Sequence, residues 1–257
     1  MSRENNGGRR NRESLCSLYD EVDALVEGGR FRKALRLYER MSEQGSAVAA
    51  ARLGLYYTTG MIDGIRVNGP AKDRQRVVDY DKARRFSCLA FRRGDPEGAS
   101  LMAWLIYREF YRDRGADVTK VAGSREKARE MRRWIKLAFR GERGKDRGLL
   151  YYLLGWNSFW FGGDMGERKA IDYWRKGARL EEGKSLEELG IAYGFGENAR
   201  RDLRRSLSYF RRAVASEPLA RKRIIRIVGQ ICSPRWNSED ELRRVGFLDF
   251  LQKLRGK

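Results

Sequence analysis

The chain contains no histidine. That excludes Ser-His-Asp and Cys-His nucleophile systems, His-ligated zinc and the commonest general base. Cysteine is scarce and odd in number, with Cys16, Cys88 and Cys232 widely spaced. Such spacing suits reduced, part-buried thiols better than a disulfide framework or a metal site. Only 4 prolines occur in 257 residues, and long stretches lack strand-like alternation, so helix is the expected element. No apolar run reaches the roughly 18 to 20 residues that a membrane-spanning helix needs. Residues 1–12 are polar and rich in Arg, Gly and Asn. They read as a disordered basic tail rather than an export signal, so a cytoplasmic location is expected. Acidic residues are also in deficit, 35 against 55 basic ones, for a formal net charge of +20. This excess does not choose a fold, but it favours nucleic acid, an anionic membrane or an acidic protein face as partner.

What is present is repetition. Lys33-Ala34-x-x-Leu37-x-x-x-Met41-x-x-x-Gly45 returns as Lys82-Ala83-x-x-Phe86-x-x-x-Ala90-x-x-x-Gly94. Echoes follow at Lys169-Ala170-x-x-Tyr173-x-x-x-Gly177 and Arg205-Ser206-x-x-Tyr209-x-x-x-Ala213. A second phrase, Leu53-Gly54-x-x-Tyr57-x-x-Gly60, recurs as Leu189-Gly190-x-x-Tyr193-x-x-Gly196. Leu154-Gly155 is a looser copy, and Met102-Ala103 holds the corresponding place in another unit. Glycine inside a helix costs about 1 kcal/mol against alanine, so repeated use at one register implies a close helix crossing. The alanines of the first phrase are expected to serve that crossing from the other side.

Punctuation divides the chain accordingly. Gly28-Gly29 reads as a helix C-cap. Asp79 and Asp95-Pro96 read as helix starts, and Ser185-x-x-Glu188 and Ser238-x-x-Glu241 as capping boxes. The expected architecture is all-α, a right-handed α-solenoid of antiparallel helix pairs occupying residues 13–256 as one domain. It opens with a hairpin over 14–45, continues in units starting near residues 47, 96, 147 and 184, and ends in a capping pair over 218–254. Long connections at 60–78 and 112–124 interrupt the stack.

These phrases resemble the Sel-one-like repeat family, a relative of the tetratricopeptide repeat. The fullest match runs from Ala49 to Gly60 and on through Asp79-Tyr80-Asp81-Lys82-Ala83, Phe86, Ala90 and Gly94. The resemblance covers most of residues 30–217. It implies a helical superhelix acting as a scaffold or adaptor for other proteins; since no catalytic constellation is found among the residues, no enzymatic activity or cofactor is expected. The unit starting near residue 96 departs from the pattern, lacking Leu-Gly and carrying Met131 where alanine is expected. The paired cysteines of one bacterial branch are absent, so activity tied to that branch does not carry over.

Several tempting sites have simpler readings. Gly194-x-Gly196-x-x-Ala199 follows a helical phrase rather than a strand, which disfavours a dinucleotide fingerprint. Gly183-Lys184-Ser185 lacks the upstream glycine of a phosphate loop. Glu181, Glu182, Glu187 and Glu188 read as solvated or capping carboxylates rather than an acid–base pair. Phe86, Trp134, Tyr173 and Tyr209 form one column, read as core. Trp156, Phe159, Trp160 and Phe161 are too dense for one helix face to bury, leaving one or two as partner anchors. No catalytic, cofactor or metal residue is assigned.

Binding is expected along the concave groove, to a protein and preferentially an acidic one. The groove candidates, drawn at i, i+4, i+7 spacing, are Arg52, Tyr56, Arg108, Asn157 and Trp160, accompanied by Thr59, Leu101, Leu105 and Leu153. The candidate anionic-partner patch comprises Arg129, Arg132, Arg133, Lys136 and Arg140, with Arg201, Arg204, Arg205 and Arg212. Arginine outnumbers lysine there, which suits bidentate contacts to phosphate or carboxylate. The alternative use of these runs, with the tail, is RNA or DNA binding.

Overall fold

The structure is a computed structural model that describes residues 17–62, 65–66, 78–109, 123–196 and 198–256. The tail 1–12, Cys16 and most of the two long connections lie outside the described residues. Helices dominate: α1 (17–27), α2 (Phe31–Glu43), α3 (Ala47–Thr59), α4 (Tyr80–Arg92), α5 (Glu97–Tyr107) and α6 (Ser124–Gly141), then α7 (Arg147–Phe161), α8 (Gly166–Arg179), α9 (Gly183–Phe195), α10 (Leu203–Ser216), α11 (Arg221–Ile231), α12 (Glu239–Val245) and α13 (Phe247–Arg255). Among the described residues the only strands are β1 (Met61–Ile62) and β2 (Ile65–Arg66), an antiparallel ladder pairing Met61 with Arg66 and Ile62 with Ile65. The long connection expected from residue 60 thus begins as a short β-hairpin.

The chain divides into two compact units, one of Met1–Ala116 with Arg129–Gly141, the other of Asp117–Ala128 with Glu142–Lys257. In the first, α2, α3, α4 and α5 pack in succession, and α3 also touches α5 across one hairpin. The second follows the same rule: α7, α8, α9 and α10 pack in order, while α9 touches both α7 and α11. Neighbour-on-neighbour stacking of hairpins is the packing of a repeat protein.

Local chemistry explains where the helices begin. Ser46, Asp79, Asp202 and Ser238 each place a side-chain oxygen against the N–H three residues on, at 2.9 to 3.3 Å. Asp95 Oδ1 receives the Glu97 N–H at 2.9 Å, ahead of the proline-led start of α5. The capping box at Ser185 does not form. Glu182 caps α9 instead, accepting from the Ser185 N–H at 2.6 Å, and Ser185 lies fully buried within the helix. Glu182 precedes Gly183, so the start falls three residues earlier than the serine pattern indicates. The terminal capping pair is also revised: α11 is followed by two short helices, broken at Gly246 by a left-handed φ of 79°.

The core follows the repeat. Leu37, Met41, Leu53 and Val22 are sealed from solvent in the first unit, as are Leu150, Leu153, Leu186 and Phe210 in the second. Each such side chain contributes about 1.5 to 3 kcal/mol by leaving water. The Leu-Gly glycines mark close crossings, as their repetition predicts. A Cβ on Gly54 would stand 2.6 Å from Ser87 Oγ, and one on Gly190 would stand 2.8 Å from the Phe210 ring. One on Gly155 would strike the indole of Trp174. The residue seated against each notch is therefore Ser87, Trp174 or Phe210, five places after the Lys or Arg that opens the first phrase, rather than the phrase alanine. The aromatic column one position earlier, Phe86, Trp134, Tyr173 and Tyr209, is half-buried rather than enclosed.

Candidate functional site

Two copies of the repeat build the same small assembly. In the first unit the Asp79 N–H donates to Tyr57 O at 3.0 Å, and the Asp79 side chain pairs with Lys82 at 3.7 Å. Lys82 lies over the Tyr57 ring at 5.1 Å, and that ring stacks on Phe86 at 5.7 Å and 5°. In the second unit the Asp202 N–H donates to Tyr193 O at 2.9 Å, and Asp202 pairs with Arg205 at 3.2 Å. Arg205 lies over Tyr193 at 5.7 Å, and Tyr193 stacks on Tyr209 at 5.8 Å and 8°. The Leu-Gly tyrosine thus joins its own helix to the next through a cation and a stacked ring.

Beyond the tyrosine oxygen the copies diverge. Tyr57 donates to Glu39 Oε1 at 3.4 Å, whereas Tyr193 accepts from Arg175 Nη2 at 2.8 Å. Glu39 and Arg175 occupy one repeat position, six residues after Lys33 and Lys169. Burial first, and then the Glu39 carboxylate, raise the pKa of Tyr57.

The groove candidates do not all reach solvent. Tyr56 is 8% exposed, and Asn157 is fully buried, donating from Nδ2 to Ala128 O at 3.0 Å. Leu101, Leu105 and Leu153 are core. These positions face inward because the helices that carry them pack on both flanks, so i, i+4, i+7 spacing there marks packing contacts. Arg52, Arg108, Thr59 and Trp160 are half-buried, and Arg52 pairs with Glu97 at 3.3 Å.

Trp160 belongs to an aromatic group on α7. Trp156 stacks on Trp160 at 6.2 Å and 18°, and Phe159 meets both edge-on at 5.6 and 5.1 Å. Trp156, Phe159, Trp160 and Phe161 are all half-buried. Beside this group lies a carboxylate pair, Glu187 and Glu188, that is neither solvated nor capping as its sequence context suggests. Glu187 is buried and held by both Nε and Nη2 of Arg223, at 2.5 to 2.8 Å. Glu188 next to it has its carboxyl pushed up to about 8, first by desolvation and then by the Glu187 charge. The Trp156 side chain and Arg223 oppose that rise. Nothing in the local spacing announced this, because Trp156 and Arg223 come from other helices.

The arginine candidates separate into two groups. On α6, Arg129, Arg132, Arg133, Lys136 and Arg140 are exposed along one stripe. Arg133, Lys136 and Arg140 have no carboxylate partner among the described residues. In the second unit most are engaged. Arg201 is held by Glu241 at 2.8 Å and by Asn237, Arg205 by Asp202, and Arg212 by Glu181 and the Ala178 carbonyl, both at 2.6 Å. Arg204 is exposed.

Reactive chemistry is sparse among the described residues. No group of three or more metal-ligating side chains occurs, and no helix is long and apolar enough to cross a membrane. Burial raises the thiol of Cys88, and that of Cys232 up to about 11, which leaves little thiolate at neutral pH.

Hairpins stacked neighbour on neighbour, joined by recurrent notches and stacked tyrosines, define a helical-repeat protein. No protein-family model and no curated protein matches the chain. Among solved structures it is similar to a Sel1 repeat protein from Oxalobacter formigenes, with 21% identity over 86% of this chain and 78% of that one, at a TM-score of 0.47. It is also similar to c5321, a protective antigen of uropathogenic Escherichia coli displaying an SLR fold. There the identity is 17% over 96% of this chain and 57% of that one, at a TM-score of 0.38.

Proposed function

We propose that the protein is a non-enzymatic scaffold that binds another protein through the exposed parts of its repeat helices, with the α7 aromatics as anchor. The observation that carries this reading is the half-buried group Trp156, Phe159 and Trp160. Stacked indoles that keep partial access to water supply large contact area with little entropy left to lose, which is the character of an interface hot spot. The surplus of exposed arginine supports an acidic partner, because the approach of such a surface is favoured over long range. The decisive experiment is affinity capture after nuclease treatment, comparing the native chain with Trp160→Ala. A protein partner retained by the native chain and weakened about tenfold or more by the substitution is expected, since hot-spot truncations remove about 2 kcal/mol or more. Equal capture by both chains would remove the aromatic anchor from the reading.

One observation favours nucleic acid as a second reading: the α6 stripe has Arg133, Lys136 and Arg140 exposed without carboxylates. That reading requires log affinity for RNA or DNA to fall by about 0.7 to 0.9 per phosphate neutralised as log salt rises.

A further inference from the structure

A cavity of about 610 Å³ opens in the second unit between α8, the end of α9 and the start of α10. Its size is that of small-molecule sites, which run from about 300 to 1,000 Å³. Five arginines line it, Arg168, Arg175, Arg200, Arg201 and Arg205, together with Asp172, Asp202 and the ring of Tyr193. No lysine is present among its lining residues. The lining charge is 5 − 2 = +3, and Glu241, outside the cavity, satisfies Arg201 at 2.8 Å. Asp172 pairs with Arg175 at 3.1 Å and Asp202 with Arg205 at 3.2 Å. Two guanidinium groups, those of Arg168 and Arg200, then have no carboxylate partner among the described residues.

A third polar group lines the same space. Tyr193 is 4% exposed, and its oxygen accepts from Arg175, so its own O–H proton remains without an acceptor among the described residues. In the first unit the equivalent proton goes to Glu39. Here the carboxylate is replaced by a cation, and Tyr193 is among the residues that line the cavity. An incoming acceptor oxygen would receive that proton.

We propose that this cavity binds a phosphate monoester dianion, with Arg168 and Arg200 as its counter-charges and Arg175 and Tyr193 as fixed donors. Two cations without an ion-pair partner favour a dianion, even with the Glu167 carboxylate beside the lining residue Asn198. The planar guanidinium fork suits the several acceptor oxygens of a phosphate better than a point ammonium does. A lone carboxylate would neutralise only one of the two cations. The cavity exceeds what a bare phosphate fills, leaving room for the group that carries it. This site is separate from the α7 aromatics, and it stands or falls independently of the scaffold reading.

The test is isothermal titration calorimetry of the full chain at constant ionic strength. The probes are inorganic phosphate, adenosine 5′-monophosphate and a phosphotyrosine peptide, with adenosine, the unphosphorylated peptide and sulfate as controls. At least one phosphate monoester is expected to bind while its unphosphorylated counterpart does not, and the tightest probe names the source of the phosphate. Arg168→Gln with Arg200→Gln should weaken that binding tenfold or more. Arg204→Gln, an exposed neighbour outside the cavity, should change it less than twofold, and thermal melts of both variants check folding. The proposal is overturned if no monoester binds at millimolar concentration, if sulfate binds as tightly, or if Arg204→Gln weakens binding as much as the cavity variant.

Discussion

In the first unit the notch at Gly54 faces the hydroxyl of Ser87, Tyr57 faces a carboxylate, and Arg52 before the Leu-Gly pair reaches Glu97 at 3.3 Å. In the second unit the notches at Gly155 and Gly190 receive the rings of Trp174 and Phe210, and Tyr193 faces a guanidinium. Glu188 stands there in the place of Arg52. The helix ends differ as well. Gly45 and Gly94 close α2 and α4 in the left-handed region, at φ 101° and 92°, while Glu181 takes the same position after α8 at φ 58°. Backbone geometry repeats and its contents do not. The repeat specifies where two helices may approach, and each copy decides what fills the gap and with which charge. Binding chemistry can therefore differ from one hairpin to the next without disturbing the fold.

Filling the notches tests this most severely. Gly155→Ala must displace a buried indole that donates to Tyr152 O at 3.3 Å. A loss of about 3 kcal/mol is expected, at the upper end for overpacked cores. Gly54→Ala meets Ser87 Oγ, which can rotate away, and the Ser87 backbone N at 3.2 Å, which must shift slightly, and about 1 kcal/mol is expected at this milder end of overpacking. Denaturant midpoints of the two variants measure the contrast, and equal losses would mean that the notch contents do not matter.

The Glu188 position gives an intermediate effect with a defined sign. Its folded pKa lies above the ordinary 4.5, at about 8, so the folded chain keeps a proton that the unfolded chain releases. The stability associated with this group is complete below pH 4.5 and declines as pH rises to about 8. Glu188→Gln should flatten the stability profile over that window and make the variant the more stable chain above it. Thermal melts from pH 4 to 9 provide the comparison, and parallel profiles would show that this carboxyl is not strained.

Glu181→Gly gives the smallest change. Releasing a non-glycine residue from the left-handed region recovers about 1 to 2 kcal/mol. The substitution also removes the ion pair of Glu181 with Arg212 at 2.6 Å, and half-exposed pairs contribute about 0 to 1 kcal/mol. A net gain of about 1 kcal/mol or less is expected in the denaturant midpoint, with a loss excluding strain at this turn.

Much of this was legible in advance. The helical period, the starts near residues 47, 96, 147 and 184, and the asparagine-free caps at Asp79 and Ser238 were all local signals, and the helices begin at Ala47, Glu97, Arg147 and Gly183. The capping box at Ser185 misled because a serine pattern inside a helix is indistinguishable from one at its start, and Glu182 was the better-placed acceptor. The groove stripe misled for a different reason. Helical spacing identifies a face, yet Tyr56 and Asn157 lie on a face covered by neighbouring helices.

Sequence by itself determined the helices, most of their starts and the glycine notches, because each depends on residues within a few positions of one another. Only the tertiary structure decided that five arginines share a cavity with a buried tyrosine, or that Glu188 sits against Trp156. Such groups meet across 18 residues for Arg175 and Tyr193 and across 36 for Glu187 and Arg223. Charge compensation is a property of who meets whom in space, and periodicity along one helix carries no record of it.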